Sequence, residues 1–341
     1  MANILVAMSG GVDSTTTAYR LKEAGHNVVG CYMKLHNAEK KHENNIRMVK
    51  KAADFLGIEY HVLDLSKEFD EIVYKPFIKA YEDGITPNPC IHCNRNIKFG
   101  ALVDFAKSIG MEKLATGHYV QIKDGLLFEA SDKTKDQSYF LSQVHPEVLD
   151  FMLFPLGDKY KKDIKEFALN IEELEEFSTQ RESSEICFVE KSYVDILKDY
   201  VDVNKEGNVL NKQGEIVGKH QGYMHYTIGK RRGFEVKGAH DPHYVVSINP
   251  VKNEIVVGDK EDLESKEFRV TSLNMFIKDK TEFNASVKIR YRSPKYPCHV
   301  VVDADKKGAT VYLETSASAI AAGQIAAFYD GEYVIASGII L

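Results

Sequence analysis

The sequence contains few cysteines and no long apolar run. Five cysteines occur among 341 residues, an odd number that argues against a fold held together by paired disulfides. No apolar run approaches the roughly 20 residues that a membrane-spanning helix needs. The first residues, MANILVAMSGG, lack the basic segment and the cleavage site of a signal peptide. We therefore expect a cytoplasmic protein without membrane contact, whose thiols are reduced and either reactive or metal-binding.

An excess of positive charge is also missing. The formal net charge is −6, which by itself speaks against nucleic-acid binding because phosphates are neutralised by lysine and arginine. The basic residues are nevertheless clustered, in KHQGYMHYTIGKRRGFEVKG (residues 219–238) and in KIRYRSPK (residues 288–295). A basic face on an acidic protein is therefore compatible with RNA binding. For the Lys230–Arg232 cluster taken alone, a solvated turn is the simpler interpretation.

Length and hydrophobic patterning predict more than one domain. A chain of 341 residues is too long for one compact unit of the usual size. Through about residue 150, apolar strands alternate with helix-period stretches, which indicates a parallel sheet with crossover helices. From about residue 205, short alternating runs separated by turn residues predict antiparallel strands. The expected division is an α/β domain (residues 1–150 with about 176–192), a small mixed central domain (151–175 and 193–252) and a C-terminal antiparallel β-barrel (253–341).

Several elements of the first domain are predicted individually. Apolar runs place strands at residues 3–8, 27–33, 59–65 and 113–119. Helical periodicity places helices at about 14–24, 45–56 and 97–109. Asp124-Gly125, between two short alternating runs, predicts the turn of a β-hairpin.

The segment Ser9–Ser14, SGGVDS, carries the clearest chemical signal. It follows an apolar strand directly and begins a helix. Paired glycines let successive backbone N–H groups converge, and the helix N-terminus adds partial positive charge, so the segment is suited to binding phosphate. The hydroxyls of Ser9 and Ser14 are candidate donors to the same anion, and Asp13 is a candidate to hold Mg²⁺ or to fix the loop. A tight turn without a ligand is the alternative, and it suits an isolated Gly-Gly pair better than this strand-loop-helix setting.

The lysine of the common GxxxxGKS/T phosphate loop is missing from this segment. That lysine normally reaches the β- and γ-phosphates. A loop without it suits capture of the pyrophosphate while the α-phosphate is attacked, which yields an adenylated acceptor.

Three cysteines lie in segments that are predicted to be loops. Cys90 and Cys93 form a C-x-x-C pair in TPNPCIHCNRNIKF, where two prolines are expected to keep the chain extended before a helix. A thiol near a helix N-terminus and beside Arg95 and Lys98 has its thiolate favoured. Cys187, in SEICFV, has few apolar neighbours in sequence, so burial alone does not explain it. Cys31, Cys298 and His61, by contrast, are expected to be packing residues of strands.

These motifs carry a resemblance to known proteins. The SGGVDS loop resembles that of the PP-loop ATP pyrophosphatases, whose fold is that of the adenine nucleotide alpha hydrolases. Further segments resemble the bacterial tRNA-specific 2-thiouridylases, and they follow in order from residue 7 to the C-terminus: TPNPxxxCNxxIKF, TGHY, KDQSYFLS, ICFV, HQGYMHYTIGKRRG, KIRYR and AGQIAAFYDG.

The resemblance implies a reaction. ATP, with Mg²⁺, would adenylate the C2 oxygen of the wobble uridine in the tRNAs for Lys, Glu and Gln, and sulfur would then replace that oxygen. A carbonyl oxygen is a poor leaving group, and the adenylate lets it depart as AMP. By the resemblance, Cys187 carries a persulfide and Cys93 is the nucleophile that releases the sulfur, which leaves a Cys93–Cys187 disulfide. The sulfur donor is expected to be a cysteine desulfurase or a sulfur-relay protein.

The same resemblance implies three groups of contact residues. Those expected to contact ATP are Ala7, Met8, Ser9, Gly10, Gly11, Val12, Asp13, Ser14, Met33 and Gly117. Those expected to line the target base are Asn88, Pro89 and Cys90. Those expected to meet the tRNA are His118, Lys135, Asp136, Gln137, Arg290, Tyr291 and Gln324.

One position departs from the family pattern, because many members have aspartate where this chain has Cys90. Cys90 cannot be assumed to take over acid or base work from that aspartate. With Cys93 and Cys187 it makes three thiols, as in thiolases that hold a 4Fe–4S cluster by three cysteines. Zinc, with His92 as the only nearby fourth ligand, is a weaker alternative. Two other functions stay open: an amide- or guanidine-forming enzyme with the same loop, and a tRNA-binding module without catalysis.

Overall fold

The computed structural model describes residues 1–36, 38–179, 186–189, 191–236 and 242–341. These residues form two compact units. The first contains Met1–Val73, Cys90–Ser184 and Gly331–Ile335. The second contains Tyr74–Pro89, Glu185–Asp330 and Ala336–Leu341.

The described residues contain strands, α-helices and shorter helical turns. The strands are β1 (Asn3–Ala7), β2 (Asn27–Lys34), β3 (Tyr60–Asp64), β4 (Lys113–Ala115), β5 (Val120–Lys123), β6 (Leu126–Glu129), β7 (Met152–Leu153), β8 (Gly207–Leu210), β9 (Ile216–His220), β10 (Tyr244–Asn249), β11 (Glu254–Gly258), β12 (Glu264–Met275), β13 (Glu282–Lys288), β14 (Tyr296–Val302), β15 (Gly308–Ser318), β16 (Ile325–Asp330) and β17 (Tyr333–Ile340). The α-helices are α1 (Val12–Glu23), α2 (Glu39–Leu56), α3 (Ser66–Phe69), α4 (Lys75–Glu82), α5 (Pro89–His92), α6 (Leu102–Ser108), α7 (Ser138–Leu141), α8 (Lys161–Leu169), α9 (Glu175–Ser178) and α10 (Tyr193–Leu197). Residues Asp70–Tyr74 and Cys93–Ala101 are π-helical, and short 3₁₀ turns occur at Pro146–Phe151, Glu172–Leu174, Tyr223–His225 and Glu261–Leu263.

The first unit is built on a parallel sheet, as the alternation of strands and helices predicts. The strand order is β3-β2-β1-β4-β7, and every pairing between these neighbours is parallel. Strand β1 is central, and its Ile4, Leu5 and Val6 are fully buried, which explains its continuous apolar run. The chain moves from β1 outwards to β2 and β3 and then returns to β4 on the other side of β1. Ligands of such sheets bind at the carboxyl ends of the strands where this reversal occurs.

Helices α1, α2 and α8 cover the sheet and share its core. Ala18 of α1, Val49 of α2 and Ile164 of α8 belong to one cluster of buried apolar residues. Residues 151–175, which the sequence assigns to the central domain, therefore lie in the first unit. Helix α2 begins at Glu39 rather than near Asn45 and ends at Leu56. The next residue, Gly57, has a φ of +59°, the left-handed conformation common just past a helix end.

Two local predictions have different outcomes. The Asp124-Gly125 turn is confirmed, because β5 and β6 form an antiparallel hairpin and both turn residues have positive φ, at 51° and 74°. The extended conformation expected around both prolines of TPNP is wrong at Pro89. A proline fits the first position of a helix, where its missing N–H is not needed, and α5 begins there. The helix expected from Ile97 therefore starts eight residues earlier, with α5, the π-helical segment and α6 following one another without a break.

The second unit holds a small mixed sheet and a barrel. The small sheet has the order β10-β11-β8-β9, and its β11–β8 pairing is parallel, which alternation alone did not predict. Beside it, Phe77 and Tyr81 of α4 pack with Leu197 of α10 and Met224.

The predicted C-terminal barrel is confirmed. Strands β12, β15, β14, β13, β16 and β17 follow one another in the sheet, and β12 also pairs with β17, which closes a ring of six strands. Closure leaves these strands without an exposed edge. Among the described residues, no helix is long and apolar enough to span a bilayer.

Candidate active site

The loop between β1 and α1 has the geometry of an anion cradle. Gly10 has a φ of +83°, a conformation that favours glycine. A Cβ at Gly10 would lie 2.9 Å from the carbonyl oxygen of Asn45 in α2. Gly11 is the N-cap of α1 and provides no side-chain cap. The first-turn N–H groups of α1 are therefore left to bind an external acceptor, as at other phosphate-binding helix N-termini.

The two serines of the loop have different roles. The Ser14 hydroxyl donates to the Gly11 carbonyl over 3.0 Å and accepts from the Ser9 backbone N–H over 3.2 Å. Its proton is thus used to hold the loop. Ser9 is exposed, and its Oγ lies 3.3 Å from that of Ser14. Ser9 is therefore better placed than Ser14 to donate to a bound anion.

Other predicted nucleotide contacts lie at the same edge of the sheet. Met33 is half-buried near the carboxyl end of β2, and Gly117 follows the end of β4. A Cβ on Gly117 would lie 3.0 Å from Asp13 Cβ and 3.1 Å from the Ser14 nitrogen. Only a glycine lets residues 116–119 approach the N-terminus of α1 this closely. The strand expected over residues 113–119 consequently stops at Ala115.

Asp13 is part of a cluster that the sequence analysis missed. Its Oδ1 accepts from the Tyr119 hydroxyl over 2.8 Å. The Lys161 ammonium donates to both Asp13 oxygens over 2.6 Å, and it lies 5.8 Å from the centre of the Tyr119 ring. Lys161 is 7% exposed. It comes from α8, 148 residues along the chain from Asp13, so no local spacing pointed to it.

Residues 116–119 are fixed by the KDQS segment. Gln137 and Tyr119 exchange two hydrogen bonds, one from Gln137 N to Tyr119 O over 2.9 Å and one from Tyr119 N to Gln137 Oε1 over 2.8 Å. Asp136 is 3% exposed, and its Oδ1 accepts from the backbone of Ala130 and of Ser138. Of the three residues expected here to meet tRNA, Asp136 therefore shapes the loop from inside, while Lys135 and Gln137 are half-buried.

His118 lies in the same loop and is neutral. Burial, followed by the charge of Lys98, lowers the pKa of His118 well below its usual value. Its Nδ1 is 2.7 Å from the Thr116 hydroxyl, and its ring lies 5.7 Å from that of Phe99. A neutral imidazole in this position can stack or accept a hydrogen bond but cannot neutralise a phosphate.

The C-x-x-C pair lies on a continuous helical segment. Cys90 is half-buried in the first turn of α5, and Cys93 is 6% exposed where the π-helical stretch begins. Short π-helical stretches occur frequently at functional sites. Arg95, expected to favour a thiolate, donates to the carbonyl of Gln143 over 2.5 Å and to His145 Nδ1 over 3.3 Å. Burial lowers the pKa of His92 and of Arg95.

The remaining predicted residues belong to the second unit. Cys187 is exposed, while Ser184 and Glu185 of its motif lie outside the described residues. Gln324 donates to the carbonyls of Thr86 and Pro87 over 3.0 and 3.3 Å and so holds the chain immediately before Asn88 and Pro89.

Arg290 and Tyr291 follow the end of β13, and both are half-buried. Arg290 donates to the carbonyl of Ala319 over 2.9 Å.

The buried thiols of Cys31 and Cys298 are inert by comparison with an exposed cysteine, since burial raises the pKa of each to about 12.

Comparison with known protein families covers nearly the whole chain. Residues 2–191 match the family description "tRNA methyl transferase HUP domain". Residues 194–259 match "tRNA methyl transferase PRC-barrel domain", and residues 265–340 match "Aminomethyltransferase beta-barrel domain". Among curated proteins, the tRNA-specific 2-thiouridylase MnmA of Campylobacter lari is 57% identical over 337 residues, which is 99% of each chain. The chain belongs to the tRNA-specific 2-thiouridylase family.

Other 2-thiouridylases give the same result. The MnmA of Campylobacter curvus is 59% identical, again over 99% of each chain. That of Sulfurimonas denitrificans is 54% identical over 98% of this chain and 97% of its own. The family descriptions mention methyl transfer, whereas these end-to-end relatives are named for thiolation. A solved 4-thiouridine synthetase–RNA complex with bound ATP covers 58% of this chain and 49% of its own at 16% identity and a TM-score of 0.36, a likeness too weak to bear on function.

The described residues can be compared with the expected cofactors. Among them, no group of three or more His, Cys, Asp or Glu side chains is arranged to hold a metal ion. A nucleotide fits the loop, since the uncapped turn of α1 and the close-approach glycines form a cradle for phosphate. The Asp13 carboxylate remains 32% exposed despite its pairing with Lys161, which leaves room for a Mg²⁺ ligand there.

A histidine pair around the start of α2 gives this family member an acid-sensitive element. His36 and His42 have ring centres 4.5 Å apart, and His42, which is 3% exposed, lies 2.7 Å from the Tyr32 hydroxyl through its Nδ1. Burial, then the charges of His42 and Lys41, lower the pKa of His36 to about 4. Protonation therefore favours the unfolded chain, whose histidine titrates near 6.5.

We expect the free energy of unfolding to fall as the pH decreases from about 6.5 towards 4. Several other histidines with lowered pKa contribute to the fall, among them His118 and His220. A His36→Asn variant should have a shallower pH dependence than the parent protein, measured by urea unfolding at a series of pH values. Identical slopes for the two proteins would contradict this account of His36.

Proposed function

We propose that this protein is an ATP-dependent tRNA-specific 2-thiouridylase that replaces the C2 oxygen of the wobble uridine by sulfur. The observation that carries the proposal is the end-to-end match to 2-thiouridylases, at 57% identity over 99% of both chains. The cradle at Ser9–Ser14 supports it independently, because it lies at the carboxyl edge of the sheet where nucleotide phosphates bind.

The chemistry proceeds in three displacements. The uridine O2 attacks the α-phosphorus of ATP, the bond to the bridging oxygen breaks, and pyrophosphate leaves. The terminal sulfur of a persulfide on Cys187 then adds to C2, the C2–O bond breaks, and AMP leaves. Attack of the Cys93 thiolate on the Cys187 sulfur breaks the S–S bond, and its electron pair stays with the transferred sulfur. The resulting Cys93–Cys187 disulfide needs a dithiol reductant before the next turnover.

Residue roles follow from this scheme. We assign the polyphosphate to the loop Ala7–Ser14 with Gly117, and the adenine to the neighbourhood of Met33. Asp13 is the candidate Mg²⁺ ligand. Asn88, Pro89 and Cys90 are the candidates for the target base, and Gln324 supports them by holding Thr86 and Pro87.

The tRNA contacts are proposed at His118, Lys135, Gln137, Arg290 and Tyr291. The neutral state of His118 favours contact with a base or a ribose over contact with a phosphate. Asp136, being buried, would act by shaping the Lys135–Gln137 loop. The proposed substrates are the tRNAs for Lys, Glu and Gln in the cytoplasm, and the proposed sulfur donor is a cysteine desulfurase or a relay protein.

The test is thiolation by purified components. Protein, ATP, Mg²⁺, a cysteine desulfurase with cysteine, and unmodified tRNA for Glu are incubated, and the digested tRNA is analysed by mass spectrometry. We expect 2-thiouridine at the wobble position, dependent on ATP. A methylated base instead would favour the activity that the family descriptions mention, and an unmodified tRNA with a competent donor would refute the proposal.

A further inference from the structure

The phosphate loop contains a negative charge and no positive charge of its own. Its only charged side chain is Asp13, and a carboxylate in the first turn of a helix that binds polyphosphate repels the ligand unless it is neutralised. The loop also lacks the lysine that other phosphate loops place on the distal phosphates. Apart from the Mg²⁺ that accompanies ATP, a cation that neutralises Asp13 has to come from another part of the fold.

Lys161 is that cation. Among the described residues it is the one buried lysine or arginine, at 7% exposed, and burial of an ammonium is costly unless it is paired. The backbone of Lys161 is held in place, because its N–H donates to Asp132 Oδ2 over 3.0 Å. Although burial alone would raise the pKa of Asp132, hydrogen bonds from Thr134 and from this N–H lower it. The start of α8 is thus anchored to an ionised carboxylate.

Donor counting shows what the ammonium can still do. An ammonium has three N–H donors, and the described contacts use two of them, both on Asp13. The same Asp13 carboxylate is held by Tyr119 and is 32% exposed. The Lys161–Asp13 pair therefore lies at the N-terminal turn of α1, beside the position of a bound phosphate. The third N–H of the Lys161 ammonium can donate to that phosphate.

We propose that Lys161 binds the polyphosphate of ATP while it neutralises Asp13, and so replaces the lysine that the loop lacks. This rests on the proposed function only in taking ATP as the ligand. The neutralised carboxylate remains available to Mg²⁺, and the third donor of the ammonium contacts a β- or γ-phosphate oxygen. Lys161 is then a nucleotide-site residue rather than a structural counter-ion alone.

The test compares nucleotides of different charge by calorimetry on the full chain. For Lys161→Met, we expect the Kd of the non-hydrolysable analogue α,β-methylene-ATP to rise about 10- to 100-fold, as for loss of a hydrogen bond to a charged group. The Kd of adenosine should be nearly unchanged. Lys162→Met, an exposed neighbour on the same helix, should bind both ligands like the parent protein.

The same change made in an Asp13→Asn protein distinguishes direct contact of Lys161 with phosphate from an effect of Lys161 on Asp13 alone. If Lys161 touches the polyphosphate, Lys161→Met should weaken analogue binding in an Asp13→Asn protein as well. If Lys161 acts only through Asp13, adding Lys161→Met to Asp13→Asn should change nothing, and the proposal is overturned. The double variant also removes both charges of the ion pair together, so it should fold even if the single Lys161→Met protein does not. A parent protein that fails to bind the analogue would contradict the proposed function itself, whereas normal binding by Lys161→Met would contradict this proposal alone.

Discussion

Replacing Cys93 by serine is expected to reduce 2-thiouridine formation by on the order of a thousandfold or more, the scale seen when a catalytic nucleophile is removed. A serine hydroxyl cannot attack a persulfide and leave a disulfide, so the sulfur cannot be released. Cys187→Ser should have the same effect, because serine cannot carry a persulfide. Neither change should alter ATP binding, since neither residue is assigned to the nucleotide. Quantification of 2-thiouridine over time, with calorimetry of α,β-methylene-ATP, measures both quantities.

The chain offers a matched control for this pair. Cys298 is a buried barrel thiol, 3% exposed, with its pKa raised to about 12 by burial. Cys298→Ala should therefore retain the thiolation rate of the parent protein. Thiolation by Cys93→Ser at a rate near that of the parent would contradict the proposed sulfur chemistry.

Cys90 distinguishes the persulfide route from the three-cysteine cluster. Under the persulfide route, Cys90→Ser should leave a measurable rate and no iron should accompany activity. Under the cluster route, the same change should abolish both the activity and the iron content of anaerobically purified protein. The visible absorption spectrum reports the cluster without an activity assay.

Replacing Gly10 by alanine is expected to disable the nucleotide site far more than replacing Gly25. Both residues have a φ of +83°, so either alanine introduces strain of about 1 kcal/mol. At Gly25 the new Cβ meets nothing within 4 Å, whereas at Gly10 it would lie 2.9 Å from Asn45 O and 3.2 Å from Met48 Cβ. The loop or α2 must move, and a displaced cradle should weaken binding of α,β-methylene-ATP on the order of 10- to 100-fold.

The comparison separates strain from crowding. Gly25→Ala should lower the melting temperature by only about 2–4 °C and bind the analogue normally. Gly10→Ala should lose more stability and should lose nucleotide affinity as well. Equal affinities in the two variants would show that α2 does not set the position of the phosphate loop.

Two features that depend on residues close together in sequence were predicted correctly. The strand-loop-helix at Ser9–Ser14 and the Asp124-Gly125 turn follow from glycine conformations and from apolar runs, and both are present. The parallel β11–β8 pairing was not predicted, because alternation fixes which face of a strand is buried and not which strand lies beside it. Pro89 was expected in extended chain although proline suits the first turn of a helix equally well.

The site was only partly predictable for a related reason. Met33 and Gly117 lie at the same edge of the sheet as the phosphate loop, because parallel strands bring their carboxyl ends to one edge. Lys161 is 148 residues from Asp13 along the chain. The sequence of an amphipathic helix does not show which of its lysines is buried. The buried position of Asp136 was hidden likewise, since its backbone partners Ala130 and Ser138 depend on the folded loop.

The most direct measurement follows the oxygen that leaves the uridine. A tRNA carrying oxygen-18 at C2 of the wobble uridine is thiolated with unlabelled ATP, and the AMP formed is analysed by mass spectrometry. Attack of that oxygen on the α-phosphorus followed by cleavage of the C2–O bond predicts AMP that contains oxygen-18 in amounts equal to the 2-thiouridine formed. Unlabelled AMP alongside 2-thiouridine would contradict adenylation of the base.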